Sequence, residues 1–348
     1  MNDERLVDKE RLVKIVEDFR GRVAVVGDAM LDGYLEGVAD RFYQERPGRE
    51  LFTVVGEQRF VLGGMLNVAK NVMSLGGTPI AFGVIGDDMS GREVVRLCEE
   101  DGIEFHCVKD GQTLLKQRRV ELTHNDILGR TDFGELVKGK DGEFSSRVEG
   151  ISESIANELY EDISSRYYDG FILSSYDKRI FRDEDGNFLS RPLIQFARDR
   201  GIPIYADPKP EDIRKQKFLS ATLISPNESE AREVSGPDSE NRSIEYVARR
   251  VQHVSGVDCV VITRGKDGMV IHDDKNKRFY EIQTYAREVI DVTGAGDTVI
   301  ATLMLARLAG ANLLEAGQIA NYAAGIACGK LGTYAVEKKE LIDRIKSA

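Results

Sequence analysis

The stretch Asp291-Val292-Thr293-Gly294-Ala295-Gly296-Asp297-Thr298 sets two acids and two glycines at the start of an apolar run, Val299 to Ala309. Glycine turns the backbone without a Cβ penalty, so successive N–H groups can converge at the N-terminus of the following helix. Four amides there lack intrahelical acceptors, and the macrodipole is positive. Such a place suits an anion, with the first-turn Asp297 able to take a proton beside it. An Asp in that position also stabilises the helix dipole, so the spacing alone leaves a cap and a base as two readings.

Other residues with chemistry to offer sit at the ends of apolar runs. Arg22 to Gly27 reads as a buried strand, and Gly27-Asp28-Ala29-Met30-Leu31-Asp32 follows at its carboxyl end, where open α/β sheets place ligands. Either Asp could instead cap or solvate the turn. Asp207-Pro208-Lys209 ends another run, and Ser225-Pro226-Asn227-Glu228-Ser229-Glu230 ends the next, with Ser225 or Asn227 as a helix cap and Glu230 in the first turn. Thr263-Arg264-Gly265-Lys266-Asp267-Gly268 is a tight turn, and Asn321 lies among alanines in a helix, where a packing contact is the plain reading. No Gly-x-x-x-x-Gly-Lys-[Ser/Thr] occurs, and Gly294-Ala295-Gly296 is too short for a dinucleotide fingerprint.

These residues are carried by 348 residues with 48 basic and 59 acidic side chains, a net charge of −11 that argues against nucleic acid or an anionic membrane as a partner. An anionic substrate therefore needs a local basic cluster. Cys98, Cys107, Cys259 and Cys328 lack Cys-x-x-Cys spacing and read as buried thiols, and the four histidines are scattered without metal-like spacing. Met1 to Phe19 has no signal-peptide core, and no run reaches transmembrane length, so a soluble cytoplasmic protein is expected.

Apolar periodicity predicts helices at 9–19, 67–75, 88–100, 153–166, 191–200, 228–234, 244–254, 296–309, 313–330 and 338–345. Strands are predicted at 22–27, 80–85, 170–173, 202–206, 222–224 and 259–263, with an antiparallel pair at 269–271 and 278–282. Strands alternating with helices imply parallel pairing with crossover helices. Residues 33–61 are extended, with Arg46-Pro47-Gly48 as a turn. Leu114 to Leu122 and Ile127 to Arg130 form a hairpin, and 133–150 reads as a loop.

Asp-Val-Thr-Gly-Ala-Gly-Asp at 291–297 resembles the second signature of the ribokinase-like (phosphofructokinase-B) carbohydrate kinases. Gly63-Gly64-Met65-Leu66-Asn67-Val68-Ala69 resembles the first. The resemblance covers nearly the whole chain. It implies a single ribokinase-like three-layer α/β/α domain over 1–348, with a small β-sheet lid whose strands lie within 33–61 and 112–132. It implies Asp297 as catalytic base and Gly294, Ala295 and Gly296 as an anion hole for the moving phosphoryl group. Asp32, Gly63, Gly64 and Asn67 are implied on the sugar, and Asn227, Thr263, Gly265, Gly268 and Asn321 on ATP. Glu230 would organise Mg²⁺, for which one carboxylate suffices when water and phosphate supply the other ligands.

Within the family the chain is most similar to the D-glycero-β-D-manno-heptose 7-phosphate kinases, through the Gly27 to Asp32 and Ile290 to Ile300 blocks, Asp207-Pro208-Lys209 and Gly329-Lys330-Leu331-Gly332-Thr333. It departs from them at Met65-Leu66, at Ser174-Ser175-Tyr176-Asp177-Lys178 and around Glu45 to Phe52, all near the sugar. The resemblance implies a sugar phosphate acceptor. Because the chain is acidic overall, its phosphate calls for a local cluster of cations, for which Lys116, Arg118 and Arg119 on the hairpin and Lys178 and Lys209 at strand ends are the candidates. Period two sets Lys116 and Arg118 on one face and Arg119 away from it, and a solvated charged face is the other reading of the hairpin. Kinases of another sugar or nucleoside, and an inactive sugar- or nucleotide-binding regulator, are the alternatives. A homodimer through the lid is expected, because the apolar segment Leu51 to Val61 would otherwise leave an open sheet edge.

Overall fold

Val23 and Val25 turn to one face of the strand Arg22–Gly27 and Ala24 and Val26 to the other, and all four are fully buried. A strand apolar on both faces must be covered on both, and each set joins a separate apolar layer. The structure, a computed structural model, describes residues 8–42, 50–124, 126–134, 136–138, 144–146, 151–181, 189–286 and 289–348. In it the strand lies inside a nine-stranded sheet. The order is Arg278–Ile282, Met269–Asp273, Cys259–Thr263, Leu223–Ile224, Ile204–Asp207, Gly170–Ser174, Arg22–Gly27, Thr78–Ile85, Glu104–Lys109. Neighbours pair in parallel from Glu104–Lys109 to Cys259–Thr263, and the last two strands are antiparallel, as expected. The helices Met65–Ser74, Ala295–Leu308 and Leu313–Ala327 feed one apolar layer, and Glu153–Ser164, Ser190–Asp199 and Ile244–Ser255 the other.

A second sheet of five strands forms the lid. Glu50–Val54, Ala29–Phe42, Leu114–Glu121 and Asp126–Phe133 lie in that order, and Arg59–Gly64 also pairs with Ala29–Phe42. The lid is longer than the expected 33–61 and 112–132: it begins at Ala29, includes Gly63 and Gly64, and runs to Phe133, which pairs with Leu115. The loop expected over 133–150 needs a second correction, since Leu136–Lys138 and Phe144–Ser146 pair antiparallel. Strand pairing uses backbone groups that every residue carries, so a polar composition does not exclude it. The turn expected at Arg46-Pro47-Gly48 lies outside the described residues. Three further elements were missed. One is the edge strand Glu104–Lys109, whose residues are only partly buried or exposed and so carry no continuous apolar run. The others are the short helix Pro210–Arg214 and the 3₁₀ turn Pro237–Asn241, both too brief to show a period.

Only Asp28 separates the main-sheet strand from the lid strand, and its polar groups are all engaged. Its N–H donates to Ser174 O (3.2 Å) and its carbonyl accepts from Met65 N–H (3.1 Å). Its carboxylate accepts the N–H groups of Tyr176 (2.9 Å), Lys178 (3.2 Å), Arg179 (2.8 Å) and Ile180 (3.0 Å). The capping reading of Asp28 therefore holds, and what it caps is the loop after Gly170–Ser174.

Among the described residues no helix is long and apolar enough to cross a membrane. All four cysteines are free thiols; Cys98 and Cys259 are buried as expected, whereas Cys107 and Cys328 are only partly so.

Candidate active site

Asp297 through Ala306 are all buried in the Ala295–Leu308 helix, so the core holds this helix from every side. Its first turn thereby has a fixed position. Gly294 precedes it in a left-handed conformation, φ +77°, and a Cβ there would lie 2.7 Å from Asn67 Nδ2. Ala295 N–H donates to Val292 O (3.2 Å), which leaves the first-turn amides of Gly296 and Asp297 without acceptors in the helix. Of the three residues expected to form an anion hole, Ala295 therefore has its N–H spent within the turn. Thr298 Oγ1 donates to Asn71 Oδ1 (3.1 Å), and Asn71 Nδ2 donates to Asn67 O (2.9 Å). This lock between two helices presents Asn67 Nδ2 to Asp297 Oδ2 at 2.7 Å.

Asp297 is 3% exposed, and its burial pushes the carboxyl up to about 6 against the lowering pull of Asn67, Tyr176 and Lys209. Two neighbours stand in stretches noted in the sequence but were given no role there. Tyr176 donates its phenol to Asp297 Oδ1 (3.1 Å), and Asp207 faces Gly296, whose Cβ would stand 3.9 Å from Asp207 Oδ2. Burial pushes Asp207 up to about 7, with Lys209 opposing and Asp297 and Glu230 reinforcing. Burial disfavours the charge of Lys209, but Asp207 and Glu230 outweigh it and hold the ammonium above its ordinary range. Strand-end position was the available signal for both: Asp207 ends Ile204–Asp207, and Tyr176 follows Gly170–Ser174.

A cavity of about 610 Å³ opens from this turn. It is lined by Gly294, Ala295, Gly296, Asp297, Lys209, Asn227, Glu230, Thr263, Gly265, Gly268 and Asn321, which collects every residue expected on the anion, the nucleotide and the metal. Lys209, expected on the sugar, lies here too, with Nζ on Glu230 Oε1 at 2.8 Å. Asn227 Oδ1 accepts Glu230 N–H (2.9 Å) while Glu230 Oε2 accepts Asn227 N–H (2.9 Å), a reciprocal helix cap. The polar atoms of Asn321 are spent on the chain beside it, on Gln283 O (2.9 Å) and Tyr285 N–H (3.3 Å), so the residue builds the wall. Ser225 Oγ, on the same wall, is buried without a hydrogen-bond partner.

On the lid side, strand register puts Asp32 opposite Lys116 and Val61, and Tyr34 opposite Arg118 and Arg59. With period two these even-numbered positions of one strand share a face, and Arg119 is exposed on the other, as expected. Arg118 Nη1 donates to Asp32 Oδ1 at 2.7 Å, both side chains being almost fully buried. Lys116 Nζ lies over the Tyr176 ring, 4.7 Å from its centroid. A Cβ on Gly63 would come within 2.6 Å of Asp32 Oδ2, so the glycine makes room for that carboxylate. Lys178 is held through its backbone on Asp28, and it does not line the cavity.

A profile of the pfkB family carbohydrate kinases matches residues 20–340. The chain belongs to that family. It is 34% identical over 332 residues to "Bifunctional protein HldE" of Sulfurimonas denitrificans, a match covering 94% of this chain and 65% of that protein. It thus spans under two thirds of that relative. It is also 34% identical over 324 residues to the "D-beta-D-heptose 7-phosphate kinase" of Bordetella bronchiseptica, covering 92% of this chain and 95% of the other. Among solved structures it resembles a putative ribokinase from Agrobacterium tumefaciens, with TM-score 0.68 and 18% identity over 94% of this chain and 98% of that one. Phosphofructokinase-2 from Escherichia coli gives TM-score 0.67 and 17% identity over 94% and 99%. At these identities the solved structures establish the ribokinase-like α/β fold.

The two glycines of the turn are expected to respond differently to an added methyl. Gly294→Ala meets both a left-handed backbone and Asn67, and should lose about 1–3 kcal/mol. Gly296→Ala, in helical backbone and meeting only an ordinary van der Waals contact with Asp207 Oδ2 at 3.9 Å, should keep or gain stability, by up to about 1 kcal/mol. Urea denaturation of the two variants checks this, and equal losses would contradict the geometry.

Proposed function

We propose that this protein is an ATP-dependent kinase that phosphorylates a sugar phosphate, with D-glycero-D-manno-heptose 7-phosphate accepting at its anomeric hydroxyl. The observation that carries the reading is the placement of Asp297: a buried carboxylate pushed up to about 6, beside the unused amides of a helix start, between the cavity and the lid. In this reading the acceptor O–H gives its proton to Asp297 and its oxygen bonds to the γ-phosphorus of ATP. The bond from that phosphorus to the bridging oxygen breaks, and ADP leaves. The Gly296 and Asp297 amides and the Lys209 ammonium stabilise charge on the moving group, in a transfer that is mostly positioning and electrostatics. Thr263, Gly265 and Gly268 border the nucleotide, with Asn321 supporting the wall.

Mg²⁺ would be held at Glu230 and Asp207, where it would neutralise charge on the phosphates. The donors on that wall are oxygens, including the unpartnered Ser225 hydroxyl, which suits a hard cation. Among the described residues no group of three or more His, Cys, Asp or Glu could form a protein cage, and Mg²⁺ does not require one.

The acceptor class is supported by the name of the Bordetella bronchiseptica relative, a heptose 7-phosphate kinase, and by the cationic lid face with Lys116 and Arg118. Arg118 is committed to Asp32, so in this proposal Asp32 and Arg118 meet the sugar as a pair while Lys116 meets its phosphate. The homodimer through the lid belongs to the same proposal. Val54, Val55, Leu122, Leu128 and Phe133 of the lid are each between 41% and 50% exposed, an apolar surface that a second lid would cover. Light scattering should give twice the chain mass at micromolar concentration, and a single-chain mass would end the dimer.

ADP release measured across a panel of sugars and sugar phosphates tests the activity itself. Asp297→Asn should lower kcat by roughly 10²–10⁴-fold, the usual worth of a general base. The base works ionised, so wild-type kcat should fall as pH drops through about 6 and level off above it. Near wild-type turnover in the variant, or a pH-independent rate, would remove Asp297 from the role. Lys116→Ala should raise KM for the sugar phosphate and barely change KM for ATP. Equal kcat/KM for a free sugar and its phosphate, in the wild-type enzyme, would move the acceptor to an unphosphorylated sugar.

A further inference from the structure

Tyr176 stands where the lid, the cavity and Asp297 meet. Its backbone N–H is one of the four held by the Asp28 carboxylate (2.9 Å), so its Cα is fixed by the joint between the two sheets. Its ring lies between two ammonium groups from different parts of the fold. Lys116 Nζ, from the lid, is 4.7 Å from the centroid, and Lys209 Nζ, from the far wall, is 5.3 Å away. Its hydroxyl reaches Asp297 Oδ1 at 3.1 Å and Oδ2 at 3.3 Å, while Asn67 Nδ2 takes Oδ2 at 2.7 Å. The other charged groups that face Asp297 are Lys209, Asp32 and Asp207. Two of those are acids, and burial also disfavours charge there, so hydrogen-bond donors must keep the base ionised.

We propose that Tyr176 is a positioning residue for the base: its phenol O–H fixes the orientation of the Asp297 carboxylate and favours the ionised form. A donor to the charged form lowers a carboxylate's proton affinity, and a phenol this buried and surrounded by acids keeps its own proton. The phenol therefore donates throughout the working range. Its catalytic meaning rests on the base role proposed above for Asp297, but the contact can be tested without any acceptor.

The test follows the Asp297 carboxyl by ¹³C NMR titration of ligand-free protein labelled at aspartate carboxyls, with Asp297→Asn giving the assignment. Tyr176→Phe removes the donor and keeps the ring between the lysines. Its Asp297 midpoint should rise by about one pH unit, roughly a tenfold lower ionised-to-protonated ratio at a given pH. The acid limb of kcat should rise with it. Incorporating 3-fluorotyrosine at 176, a stronger donor, should move the midpoint downward, which a merely structural role would not do. An unmoved midpoint in Tyr176→Phe overturns the inference whether or not kinase activity is found. A lower acceptor KM with an unmoved midpoint also overturns it, because the phenol would then be a plug. A raised midpoint in a protein that releases ADP with none of the sugars or sugar phosphates supports the contact and removes the kinase reading instead.

Discussion

Four backbone N–H groups converging on the Asp28 carboxylate are the constraint on which the remaining geometry depends. Buried amides need acceptors, and the loop after Gly170–Ser174 bends too sharply to pair its own. Asp28 supplies them from the end of the neighbouring strand. The same residue ties its N–H to Ser174 and its carbonyl to Met65, so one position joins the central strands, the lid and the Met65–Ser74 helix. From there the consequences run to Asp297 along two routes: through Tyr176, and through the helix that carries Asn67 and Asn71.

Around Asp297 the charges are arranged in mutual tension. Asp207, Glu230 and Asp297 surround Lys209 on the cavity wall, where partial burial weakens the solvent screening of their repulsion. Two of the three carboxyls are pushed up toward neutrality, to about 6 and about 7. Such a site gains from any added positive charge, and it meets a polyanion only when cations accompany it. The helix start then contributes oriented amides, which add no titratable group.

The layered fold was legible because both-face apolar runs such as Val23 to Val26 alternate with helical periods, and that signal survives without contacts. The turn at 291–298 was legible for a related reason: glycine spacing and a following apolar run dictate a helix start locally. Boundaries were less so. The lid begins at Ala29 because strand pairing continues through a stretch whose side chains also point at the site, and the 133–150 segment concealed paired strands behind polar residues. Asn321 and Asn227 show a different limit. Their types suit a ligand, but both side-chain polar atoms of Asn321 are spent on chain that is distant in sequence, and Asn227 Oδ1 is spent on the helix it caps. Tyr176 and Asp207 were visible as strand-end residues, yet only the approach of distant strands and helices brings them to Asp297.

The joint at Asp28 carries a consequence for how this chain can vary. One residue connects a main-sheet strand to a lid strand, and at the return crossing the lid strand Arg59–Gly64 passes directly into the Met65–Ser74 helix. Neither crossing has slack. Adding or removing a single residue at Asp28 would exchange the two faces of everything downstream in the strand, moving Asp32 and Tyr34 off the face they share with Lys116 and Arg118 and taking Leu31 out of the core. Side chains on the lid face that carries Asp32 and Lys116 can be exchanged without disturbing the strand pairing, whereas the count of residues from Gly27 to Asp32 cannot change.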